Sequence, residues 1–129
     1  MILLDTHALL WSLDGDERLT EKARQAVSEG DPFISIVSLW EMAVKTSLVR
    51  EERRLTLDRS ILEFADLCRL LGIGILPITP SDCEQVTRLP HIHEDPFDRM
   101  IIAQAATRHI PVVTKDENIW KYPEIEKIW

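Results

Sequence analysis

The chain has 129 residues, of which 15 are Lys or Arg and 22 are Asp or Glu, giving a formal net charge of −7 at pH 7. With 45% hydrophobic and 29% charged residues it has the composition of one globular domain spanning residues 1–129, which excludes disorder and a multi-domain machine. The acidic balance excludes a generally basic nucleic-acid-binding surface, so any contact with nucleic acid has to be local.

The opening Ile2-Leu3-Leu4 is a short apolar run ending at Asp5, the pattern of a strand buried on both faces. Thr6 to Leu13 has Leu9, Leu10 and Leu13 at helical spacing and closes at Gly15. Thr20 caps a second helix that stops at Gly30. Asp31-Pro32 turns the chain into a second strand, Phe33 to Ile36, followed by a helix over Ser38 to Leu48. After the charged cluster Glu51-Glu52-Arg53-Arg54, Asp58 is expected to cap an amphipathic helix to Leu71, with Gly72 as its stop. Ile73 to Ile78 reads as a short strand, and Pro80-Ser81-Asp82 starts a helix ending near Leu89. Asp95-Pro96 opens a helix through Arg108, because Asp caps and Pro fits the first turn. Pro111 to Thr114 is a fourth strand and Ile125 to Ile128 a fifth. Short apolar strands alternating with helices specify an α/β fold: a parallel sheet of four to five strands covered on both faces.

No apolar run approaches the roughly 18 to 20 residues that span a bilayer. The N-terminus has no basic region before its first carboxylate, so the expectation is a cytoplasmic protein without membrane attachment. Two cysteines, Cys68 and Cys83, cannot build a disulfide framework and read as small buried hydrophobes.

In an open parallel sheet, ligands bind beyond the carboxyl ends of the strands. Asp5 follows the first strand, and Asp116 follows Val112-Val113-Thr114 with one lysine between. Each alone is also what a loop-starting or capping aspartate looks like. Glu41 sits among apolar neighbours at helical spacing, where an unpaired carboxylate is costly; an i, i+4 pair with Lys45 is its simple explanation. Asp95 and Asp98 lie three apart at a helix start, Asp95 as cap and Asp98 able to point beyond the helix end. Carboxylates gathered in one pocket repel one another unless a cation is present. All-oxygen ligation then favours Mg²⁺ or Mn²⁺, ions that activate water for phosphodiester hydrolysis.

These residues fall in longer matching segments: Asp5-Thr6-His7-Ala8-Leu9-Leu10-Trp11, Ser35-Ile36-Val37-Ser38-Leu39-Trp40-Glu41, His93 to Ala105, and Val113-Thr114-Lys115-Asp116. On them the sequence resembles a PIN-domain ribonuclease of the VapC type, the toxin of a bacterial toxin-antitoxin pair. The resemblance covers nearly the whole chain and places the family's acidic metal-binding quartet at Asp5, Glu41, Asp98 and Asp116. It implies a three-layer α/β/α sandwich and Mg²⁺-dependent cleavage of RNA, with Mn²⁺ able to substitute. It also implies a homodimer and silencing by a cognate antitoxin protein. One departure is that Thr46-Ser47-Leu48 follows Lys45 where relatives often have a Gly-Lys-Leu turn.

Thr6, Ser38 and Thr114 stand beside the acids and could orient carboxylates or act as local caps. Lys45 and Arg99 could hold a phosphate or pair with carboxylates. Trp11 and Trp40 read as core or dimer surface rather than base-stacking platforms, and Trp120, Tyr122 and Trp129 as anchors of the tail. Three other readings stand beside this one. His91-Ile92-His93-Glu94-Asp95 has the HxHxD zinc pattern but lacks its further histidine. A receiver-like Mg²⁺-binding signalling domain shares the sheet-edge acids, yet needs adjacent acids after the first strand, where Asp5 stands alone. Within the PIN class, an RNA-processing nuclease that is not a toxin has the same site.

Overall fold

The computed structural model describes residues 1–48 and 57–129; the charged cluster at 51–54 lies outside the described residues. In chain order the elements are β1 (Ile2–Leu4), α1 (Thr6–Asp14), α2 (Glu21–Glu29), β2 (Pro32–Ser35), α3 (Ile36–Thr46), α4 (Ile61–Leu70), β3 (Gly74–Leu76), α5 (Pro80–Arg88), α6 (Pro96–Arg108), β4 (Val112–Val113), α7 (Glu117–Trp120) and β5 (Lys127–Ile128). The strands form one sheet in the order β3-β2-β1-β4-β5. Every pairing is parallel, as the strand-helix alternation predicts.

Alternation along each strand divides the core in two. Ile2, Leu4, Ile34 and Val113 face one side of the sheet, where Leu9, Ala23, Met42, Phe64 and Cys68 bring in α1 to α4. Leu3, Leu76 and Val112 face the other side, packed against Ile101, Ile102, Ile119 and Tyr122 from α6, α7 and the segment after it. The result is a three-layer α/β/α sandwich. At the edge strand Gly74 is demanded by packing, since a Cβ there would lie 2.3 Å from the Phe33 ring.

Several local expectations need correction. β2 ends at Ser35 and runs into α3 without a loop, because the Ser35 hydroxyl accepts the Val37 N–H at 3.0 Å; the helix therefore starts at Ile36, not Ser38, and ends at Thr46, not Leu48. Ser60, not Asp58, caps α4 by accepting the Glu63 N–H at 3.1 Å, while Asp58 pairs with Arg59. α7 was not expected from the sequence; Asp116 caps it. Cys68 is buried but Cys83 is exposed on α5.

Trp40 is 59% exposed and Leu62 77% exposed, along a groove of about 370 Å³ between α3 and α4 to which Ile36, Leu39 and Ile61 contribute. Trp40 is thus not core; its ring stands edge-on to Phe97 at 5.0 Å. No helix among the described residues is long and apolar enough to cross a membrane.

Candidate active site

β1 lies between β2 and β4, so successive connections leave it toward opposite edges, and a crevice opens at its carboxyl end. Asp5 occupies that end. One carboxylate oxygen caps α1 by accepting the Ala8 N–H at 2.7 Å, and the other accepts the hydroxyl proton of Thr114, the residue after β4. The same Thr114 hydroxyl accepts the Asp116 N–H at 3.0 Å. Asp116 Oδ1 in turn takes the N–H groups of Asn118 and Ile119 at 2.8 and 3.2 Å. Two adjacent parallel strands thereby fix two carboxylates through one threonine.

From the other neighbour, β2, helix α3 carries Glu41 to the same edge. Glu41 is 4% exposed and accepts two strong bonds: the Thr6 hydroxyl on Oε1 at 2.6 Å and the Lys45 ammonium on Oε2 at 2.6 Å. The Thr6 hydroxyl also lies 3.0 Å from that of Ser38. Lys45 is therefore engaged with a carboxylate. Burial would lower its pKa, but the Glu41 contact reverses that and holds it above the ordinary lysine value.

Asp98 comes from the first turn of α6, whose cap is Asp95 accepting the Phe97 and Asp98 N–H groups. Beside it stands a residue that the acid-based reading missed. His93 is buried, with Nε2 3.2 Å from Asp98 Oδ2 and 3.0 Å from Asp116 Oδ2. The Asp95 N–H donates to its Nδ1 at 3.1 Å, which assigns the neutral ring's proton to Nε2, between the two carboxylates. The available signal was its place two residues before a helix cap, within reach of that cap's N–H.

Arg99 does not face the acids, correcting its expectation as a phosphate ligand. It is buried on the other side of α6, donating to the Pro90 and Val86 carbonyls at 3.0 Å each and to the Tyr122 hydroxyl at 3.2 Å. That hydroxyl also accepts the His93 N–H at 2.9 Å and the Ile92 N–H at 3.3 Å, and donates to the Pro90 carbonyl at 2.9 Å. Tyr122 thus holds the backbone that presents His93. Tyr122→Phe leaves several buried groups without their partner and is expected to cost about 2 kcal/mol, a fall in Tm of about 8 °C by thermal denaturation.

The charges confirm that the acids feel one another. Asp98 is pushed up to about 7, first by burial and then by repulsion from Asp95, Glu41 and Asp116, against the pull of His93. Burial pushes Asp5 up as well, against its bonds from Thr114 and Ala8, and Asp116 adds repulsion. Asp116 goes the other way: burial would raise it, but His93 and two backbone N–H groups hold it below the usual carboxylate range. Asp5 and Asp98, which resist ionising beside Asp116, have the chemistry to hold a divalent cation. Among the described residues, His93, Asp98 and Asp116 offer ligand atoms within 4.8 Å of one another.

The family model for the PIN domain matches residues 2–125. The chain belongs to the PIN domain family. This PIN domain is similar to ribonuclease VapC22 of Mycobacterium tuberculosis, 29% identical over 136 residues that cover 99% of this chain and 98% of that protein. Among solved structures, DNA-bound VapBC from Salmonella typhimurium superposes with a TM-score of 0.67 at 18% identity, covering 98% of this chain and 95% of that one. VapBC2 of Rickettsia felis, bound to a promoter DNA fragment, gives 0.66 at 14% identity over 98% and 97%. These likenesses show the PIN fold.

Within this PIN domain the HxHxD segment does not converge as a zinc triad would: His91 is exposed and Asp95 is occupied as a helix cap, so only His93 reaches the acids.

Proposed function

We propose that the protein is a Mg²⁺-dependent endoribonuclease acting as the toxin of a toxin-antitoxin pair, one domain over residues 1–129. The observation that carries the reading is that Asp5, Glu41, Asp98 and Asp116 come from four separate elements to one edge of a parallel sheet, where Asp98 meets repulsion from Glu41 and Asp116, and Asp5 from Asp116. The likeness to a ribonuclease along nearly all of both chains supports RNA as substrate.

Asp5, Glu41, Asp98 and Asp116 would hold the ion, with Mn²⁺ able to replace Mg²⁺ and His93 within reach of the set. A divalent cation there supplies Lewis-acid polarisation of a phosphoryl oxygen and a more acidic bound water. The chain's own part is orientation. Thr114 and Thr6 fix the carboxylates of Asp5 and Glu41, backbone N–H groups fix Asp116, and His93 ties Asp98 to Asp116. Lys45 offsets one charge at Glu41, which limits the repulsion an incoming phosphodiester meets.

The proposed partners are the cognate antitoxin and a second copy of the chain. The VapBC complexes that share the fold and the exposed apolar strip at Trp40 and Leu62 support a protein-bound state.

The test is cleavage of total RNA by purified protein stripped with EDTA, then supplied with Mg²⁺, Mn²⁺ or Zn²⁺, with end-mapping of fragments. Discrete cuts restored by Mg²⁺ and Mn²⁺ are expected. Equal cutting in EDTA would overturn the metal assignment.

A further inference from the structure

A cavity of about 320 Å³ adjoins the carboxylates, lined by Asp5, His7, Trp11, Lys115, Asp116 and Glu117. We propose that its His7–Trp11 ledge is a nucleobase subsite for the RNA strand, with Lys115 holding the neighbouring phosphate. The inference rests on the nuclease reading and adds to it where the strand lies.

His7 and Trp11 are one turn apart on α1 and share a face, with ring centroids 5.6 Å apart and planes inclined by 37°. The indole is braced from behind. Trp129 packs on it at 5.7 Å and the Arg18 guanidinium sits 4.8 Å from its centre. His7 is exposed and makes no side-chain hydrogen bond among the described residues, so one of its faces is open to stack. Lys115, between Thr114 and Asp116, is exposed and makes no hydrogen bond or ion pair among the described residues. An aromatic ledge with an open His7 face and an unengaged ammonium, lining one cavity with Asp5 and Asp116, matches a base and its phosphate one step from the bond that is cut. Such a surface stacks any base, so the choice of base has to come from the polar rim at Lys115 and Glu117.

The test uses single-stranded RNA of mixed sequence carrying 5-iodouridine, irradiated with the Asp98→Asn protein in Mg²⁺ so that binding outlasts cutting. Cross-links are expected on the peptide containing His7 and Trp11. In the same background, His7→Ala is expected to weaken binding of a fluorescein-labelled RNA 12-mer about tenfold, and His7→Phe to restore it, because a ring face rather than a proton is what the site needs. Lys115→Gln should weaken binding and flatten its salt dependence. Cross-links confined to Trp40 or Trp120, or unchanged affinity in His7→Ala, would overturn the subsite. The nuclease reading is judged separately, by wild type against Asp98→Asn on total RNA. Loss of cutting in that pair alongside an unaffected His7→Ala sinks the subsite alone.

Discussion

Asp98→Asn is expected to lower Mg²⁺-dependent RNA cleavage by at least about a thousandfold, since the electrostatic help a bound cation gives is worth several kcal/mol and each 1.4 kcal/mol is tenfold in rate. The fold should survive. Asn keeps the size of the side chain, and Asp95, not Asp98, caps α6. In EDTA the variant should melt at a higher temperature than wild type at pH 8, with the difference shrinking as the pH falls and nearly gone by pH 4. The sign follows from the raised pKa of about 7. A carboxyl that binds its proton more tightly folded than unfolded contributes stability below the unfolded value near 4, and that contribution is lost as pH rises through 7. Removing the charge removes the loss. Full activity in this variant would overturn the assignment of the acidic site.

The largest expected effect on stability lies on the far side of α6. Asp82 has no exposed surface and accepts both Arg108 nitrogens at 2.7 and 3.2 Å, the Thr107 hydroxyl at 2.7 Å and the Thr79 N–H at 2.9 Å. Burial alone would raise its pKa, but these partners, Arg108 first, hold it at about 2. Arg108→Met strands the buried carboxylate and should cost about 3 kcal/mol, lowering Tm by roughly 12 °C. The double variant Asp82→Leu with Arg108→Met should recover much of that loss, because the apolar pair leaves no charge behind. In wild type the depressed pKa means that the contribution of this pair is complete above about pH 4 and fades as the pH falls toward 2. Thermal melts from pH 7 to pH 2 would show it. A flat profile in wild type, or an Arg108→Met protein as stable as wild type, would contradict the account.

Strand-helix alternation made the layers legible, because parallel strands buried on both faces leave unbroken apolar runs such as Ile2 to Leu4. Asp5 and Asp116 were legible as acids directly after such runs, and Glu41 as an acid among apolar neighbours. Sequence adjacency failed where direction around a helix decides the matter. Asp98 and Arg99 are consecutive, yet one turns toward the sheet edge and the other toward the Pro90 and Val86 carbonyls. His93 acquires its role from a backbone N–H two residues on and a carboxylate 23 residues away, neither of which leaves a periodic trace. α7 has four residues, too few to show a period. For Trp40 the sequence left core and dimer surface open, and the structure removes only the first, because α3 carries apolar side chains on a face that no element among the described residues covers.

The bond from Thr114 to Asp5 joins groups 109 residues apart. A ribosome making this chain at about 5 to 20 residues per second releases Asp5 some 5 to 20 seconds before Thr114 exists. Until then β1 lacks its β4 neighbour, and Asp98 and Asp116 have not been joined to the first acid. The nascent chain therefore carries no assembled centre on the message that encodes it. The acids come together in a single step, once Asp116 has been made and β4 has paired with β1.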